Sequence, residues 1–127
     1  MMIESAAVLA CVIFAILAVL QMLLIAGLSL GNFAWGGAHK VLPNKLRIGS
    51  AASIGLYVLF AVIILEKSGL ITIINNRTIV DIGTWTIMGY LFLGVVMNAL
   101  SRSRPEQLVM TPVALVLSIL FLLVALG

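Results

Sequence analysis

Charge is what this sequence has least of. Only 9% of its 127 residues are charged and just four are Asp or Glu, whereas soluble domains carry roughly a quarter charged residues. With 64% of the chain hydrophobic, a water-soluble fold is excluded, because a single short domain has no interior large enough to hide so much apolar surface. Histidine and cysteine occur once each, as His39 and Cys11. A zinc site wants three or four ligands, so neither a metal nor another cofactor is expected. Cys11 lies among Ala and Val, where a thiol behaves as a small hydrophobe. No Lys or Arg precedes Lys40, and the first apolar run is too long for a signal peptide, which needs a basic start and a short core. That run is therefore expected to be a retained helix.

What the sequence does have is four long apolar runs, from Ala6 to Leu30, Ile48 to Leu65, Ile82 to Leu100, and Leu108 to Leu126. About twenty residues of helix span roughly 30 Å of hydrocarbon. Lipid offers no partners to backbone amides, and four segments cannot close a barrel, so helices remain. The expectation is an all-α, membrane-embedded antiparallel four-helix bundle forming one domain, 1–127, with helices near 6–30, 48–65, 82–100 and 104–126. Pro43 suits the first turn of the second helix. Ser103-Arg104-Pro105-Glu106 reads as a capping box at the start of the fourth, which then continues through Pro112 with a bend. The loop 69–81, β-branched around Asn75-Asn76, leaves a short hairpin open as an alternative.

The net charge of +3 would point to nucleic acid in a soluble protein, but here its distribution decides, and no nucleic-acid partner is expected. Lys40, Lys45, Arg47, Arg102 and Arg104 fall in the first and third loops, against Lys67 and Arg77 in the second. The positive-inside rule places the first and third loops in the cytoplasm and both termini on the outer side. The five cytoplasmic cations read chiefly as that signal, and secondarily as a contact for anionic lipid headgroups.

The most distinctive segment runs Ala34-Trp35-Gly36-Gly37-Ala38-His39-Lys40-Val41-Leu42-Pro43, then Leu46-Arg47 and Ser50. With Asn98-Ala99-Leu100-Ser101-Arg102-Ser103 and Thr111-Pro112, it resembles a family of small, uncharacterised bacterial four-helix integral membrane proteins with a Trp-Gly-Gly-x-His-x-x-Leu-Pro loop. The resemblance covers most of the chain. It implies a multi-pass protein of the bacterial cytoplasmic membrane and brings no activity with it.

Catalysis finds little support. His39 is expected on the cytoplasmic side and Glu4, Glu66 and Asp81 outside, so no Ser-His-Asp set can assemble, and Glu106 is taken up by its cap. Proton-coupled transport normally retains an ionisable residue within a helix, and none lies inside the four runs. A non-enzymatic accessory or interaction protein is expected, with the bilayer, a second copy or another membrane protein as partner. The alternative is a homo-oligomeric transporter or channel for a neutral or lipophilic substrate. Its candidate ligand-binding residues are Gln21, Tyr57 and Tyr90 near mid-span, Ser53 and Asn98 on the second and third helices, and Trp35 and His39 in the first loop. The plainer role for mid-span polar residues is hydrogen-bonded packing, at ~0.6 kcal/mol each.

Four-residue spacing also predicts a seam between the second and third helices, pairing Gly49 with Asn98, Ser53 with Gly94, Tyr57 with Tyr90, and Ala61 with Thr86. Small residues would let the backbones approach. The third helix has about eight strongly apolar residues against thirteen or fourteen in the first and fourth. It is therefore expected to be the helix most shielded by protein.

Overall fold

Backbone amides inside a bilayer must find their partners within their own segment, and the four apolar runs do so as helices. The computed structural model describes residues 2–127. Helix α1 spans Met2–Ile25, α2 Asn44–Ser68, α3 Arg77–Ala99 and α4 Arg104–Leu126. All four are long and apolar enough to cross a membrane. Two short 3-10 turns, Gly31–Phe33 and Trp35–Gly37, lie between α1 and α2.

Local chemistry moves several boundaries from where hydropathy placed them. The first helix starts at Met2 and ends at Ile25, not 6–30. Gly27 takes a left-handed φ of 93°, its N–H bonds Leu24 O at 3.1 Å, and Leu28 N–H reaches back to Leu23 O at 3.2 Å. This Schellman closure ends the helix in the midst of apolar sequence. Pro43 stands just before α2 rather than in its first turn, and its carbonyl accepts from Leu46 and Arg47 at 3.0 Å. No hairpin forms in the second loop: Gly69, φ 90°, closes α2, and the Asn76 side chain caps α3 by accepting from Ile79 N–H at 3.2 Å. Residues 77–81 thus join α3, where an Asn cap and a good helix former outweigh β-branched residues. Only the bounds of α4, 104–126, need no revision; it continues unbroken through Pro112.

The core fills one half of the bundle. Phe14 packs its ring 5.7 Å from Tyr57 and 5.9 Å from both Phe60 and Phe121, and Ile64, Ile87, Leu117 and Val124 complete the cluster. Ala6, Ala7 and Ala10 are buried on α1, where small side chains permit close approach. At that end Ile3 lies against Gly127, while at the other end Gly37 lies against Ser103.

The expected seam between α2 and α3 does not form. α3 packs chiefly on α4, and α1 on α2 and α4. Gly49 faces the Trp35 indole, and the neighbour nearest Gly94 is Ala114 of α4. Tyr57 stacks on Phe14, Tyr90 meets Phe60 at 5.7 Å, and Thr86 is exposed with its hydroxyl on Ile82 O at 2.7 Å. α2 and α3 meet instead through Phe60 and Tyr90 and through Ile63 against Gly83, and Ser53 and Gly94 border open space. Nor is α3 the most shielded helix. Its spanning window is 22% buried, as in α1 and α2, against 33% in α4. Val80, Ile87 and Leu91 are buried, but Ile82, Phe92 and Met97 point outward.

Candidate functional site: a groove between the second and third helices

Where α2 and α3 part, a cavity of about 700 Å³ opens, within the size range of small-molecule sites. Its floor is built on Gln21 of α1 and Tyr57 of α2, whose Nε2 and Oη lie 3.4 Å apart. Gln21 is only 8% exposed, and its Oε1 has no hydrogen-bond partner. It lies one turn from the end of α1 rather than at mid-span, because α1 stops at Ile25. Ser53 of α2 and Tyr90, Gly94 and Asn98 of α3 line it; the Ser53 hydroxyl donates to Gly49 O at 3.1 Å. The two rows predicted to touch therefore line a shared space. Phe14, Leu17, Leu91 and Leu117 give it an apolar interior.

The mouth is made by the first loop. Trp35, Gly36 and Gly37 take successive left-handed φ values of 54°, 73° and 72°, a path that costs every residue except glycine. Trp35 is fixed by its indole N–H donating to Ser50 Oγ at 3.2 Å. The turn aims Gly36 N–H at Glu106 Oε2, 3.2 Å away. This corrects the capping box: the Ser103 hydroxyl does not cap α4, and the Glu106 carboxylate serves the first loop instead. Glu106 is itself buried, and the Gly36 N–H gives its carboxylate the hydrogen-bond partner that a buried charge needs.

Of the residues proposed from sequence, Gln21, Trp35, Ser53, Tyr57, Tyr90 and Asn98 line this groove, and His39 does not. His39 is exposed, and the loop backbone there is tied by Gly31 N–H donating to Lys40 O at 2.7 Å. Lys40, Lys45, Arg102 and Arg104 are exposed, and Arg102 also borders the groove. Arg47 turns inward. Its Nε donates to Leu42 O at 2.8 Å, and its guanidinium lies beside Gly27, so it staples the loop to α2.

Sequence reasoning missed Glu106 and the aromatic pair Phe14 and Phe60. The available signal for Glu106 was its being the one acid on the side of the first loop. Glu66 was missed as well: its Oε1 accepts from Ile73 and Ile74 N–H at 3.0 and 2.8 Å, and its Oε2 from Asn75 N–H at 2.7 Å. Beside it Lys67 bonds Asp81 at 2.6 Å, and Arg77 lies 3.5 Å from the same oxygen. A smaller hollow of about 420 Å³ adjoins Glu66, but its carboxylate is already occupied by the loop. Compared with family models, curated proteins and solved structures, the chain finds no match, so the groove's own chemistry carries the functional reading.

Proposed function

We propose that this chain is a small protein of the bacterial cytoplasmic membrane that works by binding rather than by catalysis, drawing a lipophilic guest from the bilayer into the groove between α2 and α3. In this reading the four helices are antiparallel and both termini lie outside. The contacts of Ile3 with Gly127 and of Gly37 with Ser103 support the arrangement, and the excess of cations in the first and third loops supports the orientation. The observation that carries the reading is the groove itself. Its lining includes Leu93 and Met97 of α3 and Leu100 just beyond it, respectively 57%, 63% and 74% exposed, so its rim is continuous with the lipid-facing surface. A guest arrives from the side without crossing water.

A homo-oligomeric transporter for a neutral or lipophilic substrate is the second reading, favoured by the uncharged polar lining. Phe121 and Val124 pack the core behind Phe14, so one chain has a blind groove and a through-path would need rearrangement. Purification in native-membrane particles followed by mass spectrometry tests the proposal. Wild type should retain a lipophilic guest, and Ser53→Phe, which fills the groove from the α2 wall, should lose it. An identical set of bound molecules in both would overturn it.

A further inference from the structure

We infer that the groove recognises an uncharged amphiphile through a hydroxyl, with the Gln21–Tyr57 pair reading that hydroxyl and the Phe14, Leu17 and Leu117 surface taking its hydrocarbon chain. The inference rests on the binding reading above and specifies the class of guest.

It begins from a polar atom left over. Gln21 is more than nine-tenths buried, yet its Oε1 has no partner, and a buried acceptor without a donor is costly. Gln21 Nε2 donates to Tyr57 Oη at 3.4 Å, so the tyrosine oxygen is used as an acceptor and its proton is directed elsewhere. The pair thus leaves one acceptor unused, Gln21 Oε1, which is itself buried, and one donor, Tyr57 O–H. Turning the amide by 180° exchanges the roles but keeps the sum: Tyr57 then donates to Gln21, and the pair offers an amide N–H and a phenolic lone pair. Either way the complement is a group that donates and accepts at one atom, which is a hydroxyl.

Charge narrows the class further. The charged residues bordering the cavity are Arg102 and Glu106. Arg102 is exposed, and Glu106 lies at the mouth with Gly36. Among the described residues none at the floor neutralises a phosphate, carboxylate or ammonium, and an ion stripped of water there is strongly disfavoured. A phospholipid headgroup therefore does not fit the floor, whereas a glycerol monoester or a long-chain alcohol does.

The two tryptophans, Trp35 and Trp85, supply a test. A Trp85→Phe background leaves Trp35, which lines the groove, as the reporter in phosphatidylcholine nanodiscs. The probes are chain-brominated monoacylglycerol, the matching brominated fatty-acid methyl ester, which accepts but cannot donate, and brominated phosphatidic acid. Monoacylglycerol should quench Trp35 at concentrations about tenfold lower than the ester, the worth of one net hydrogen bond, and phosphatidic acid should be the weakest. Gln21→Leu and the more conservative Tyr57→Phe should each erase the preference for monoacylglycerol, and Ser53→Phe should abolish quenching by all three. Equal quenching by monoacylglycerol and ester, still abolished by Ser53→Phe, would overturn the hydroxyl inference and leave groove binding standing; a floor that merely holds water gives that result. Stronger quenching by phosphatidic acid would also overturn it. Quenching indifferent to Ser53→Phe would remove the binding reading itself.

Discussion

Adjacent glycines in the first loop do unequal work. Gly36 has open space where a Cβ would project, so alanine there meets only the left-handed backbone, a cost of about 1–2 kcal/mol. At Gly37 the same backbone penalty applies and the added methyl runs into the Ser103 side chain. Gly37→Ala is therefore expected to lower the thermal midpoint in detergent more than Gly36→Ala. Gly55, on α2 with an ordinary φ and no neighbour within reach, provides the contrast. Gly55→Ala should be neutral or stabilising by up to about 1 kcal/mol, since alanine is the better helix former. Equal effects at Gly37 and Gly55 would contradict the loop geometry. Glu106 supplies a related residue-scale expectation. Glu106→Gln keeps the size and an acceptor for Gly36 N–H but loses the charge that strengthens the bond. It should therefore loosen the loop less than Glu106→Ala, as read by Trp35 emission.

At the scale of the element, one carboxylate organises each of two connections. Glu66, near the end of α2, accepts from three successive amides of the second loop. That segment has no strand or helix to satisfy its backbone, and a charge-assisted acceptor replaces the missing ladder. Glu66→Ala should raise amide hydrogen exchange at Ile73, Ile74 and Asn75 by at least tenfold while leaving mid-α4 amides such as Leu117 protected. Unchanged exchange in the loop would refute the assignment. Hydropathy and span length made the four helices legible, because the bilayer imposes both. Charge placed Glu106 on the side of the first loop but named neither its partner nor that of Glu66, because each bonds amides far along the chain, seven to nine residues on for Glu66 and seventy back for Glu106. The groove's polar residues Gln21, Ser53, Tyr57, Tyr90 and Asn98 were legible as polar positions in apolar runs. Their arrangement was not, since spacing on α2 and α3 fixes which residues share a face but not whether the faces meet. The two helices meet at Phe60 and Tyr90 instead, leaving Ser53 and Gly94 on a shared cavity.

For the molecule as a whole, orientation is a matter of charge distribution, and the structure separates one bonded cation from four exposed ones. Five cations, Lys40, Lys45, Arg47, Arg102 and Arg104, belong to the end that carries the groove's mouth, against Lys67 and Arg77 in the other loop. Arg47 must be kept, because its Nε holds Leu42 O at 2.8 Å. The other four are exposed, and replacing them with alanine leaves one cation against two. In a Cys11→Ala background, wild-type orientation should let an impermeant thiol reagent label Asn75→Cys in intact cells and leave Ala38→Cys unlabelled. Exposure of both positions makes the contrast one of side rather than burial. In the quadruple alanine variant the charge bias is reversed, and labelling should appear at Ala38→Cys and fall at Asn75→Cys, wholly or for a fraction of molecules. Because the four side chains do not hold the bundle together, Trp35 quenching by monoacylglycerol should survive the inversion. A guest that enters sideways from lipid meets the same groove whichever way the bundle faces. Labelling of Ala38→Cys in the unaltered sequence would reverse the proposed topology. Loss of lipid binding on inversion would show that entry depends on the cytoplasmic leaflet rather than on the groove alone.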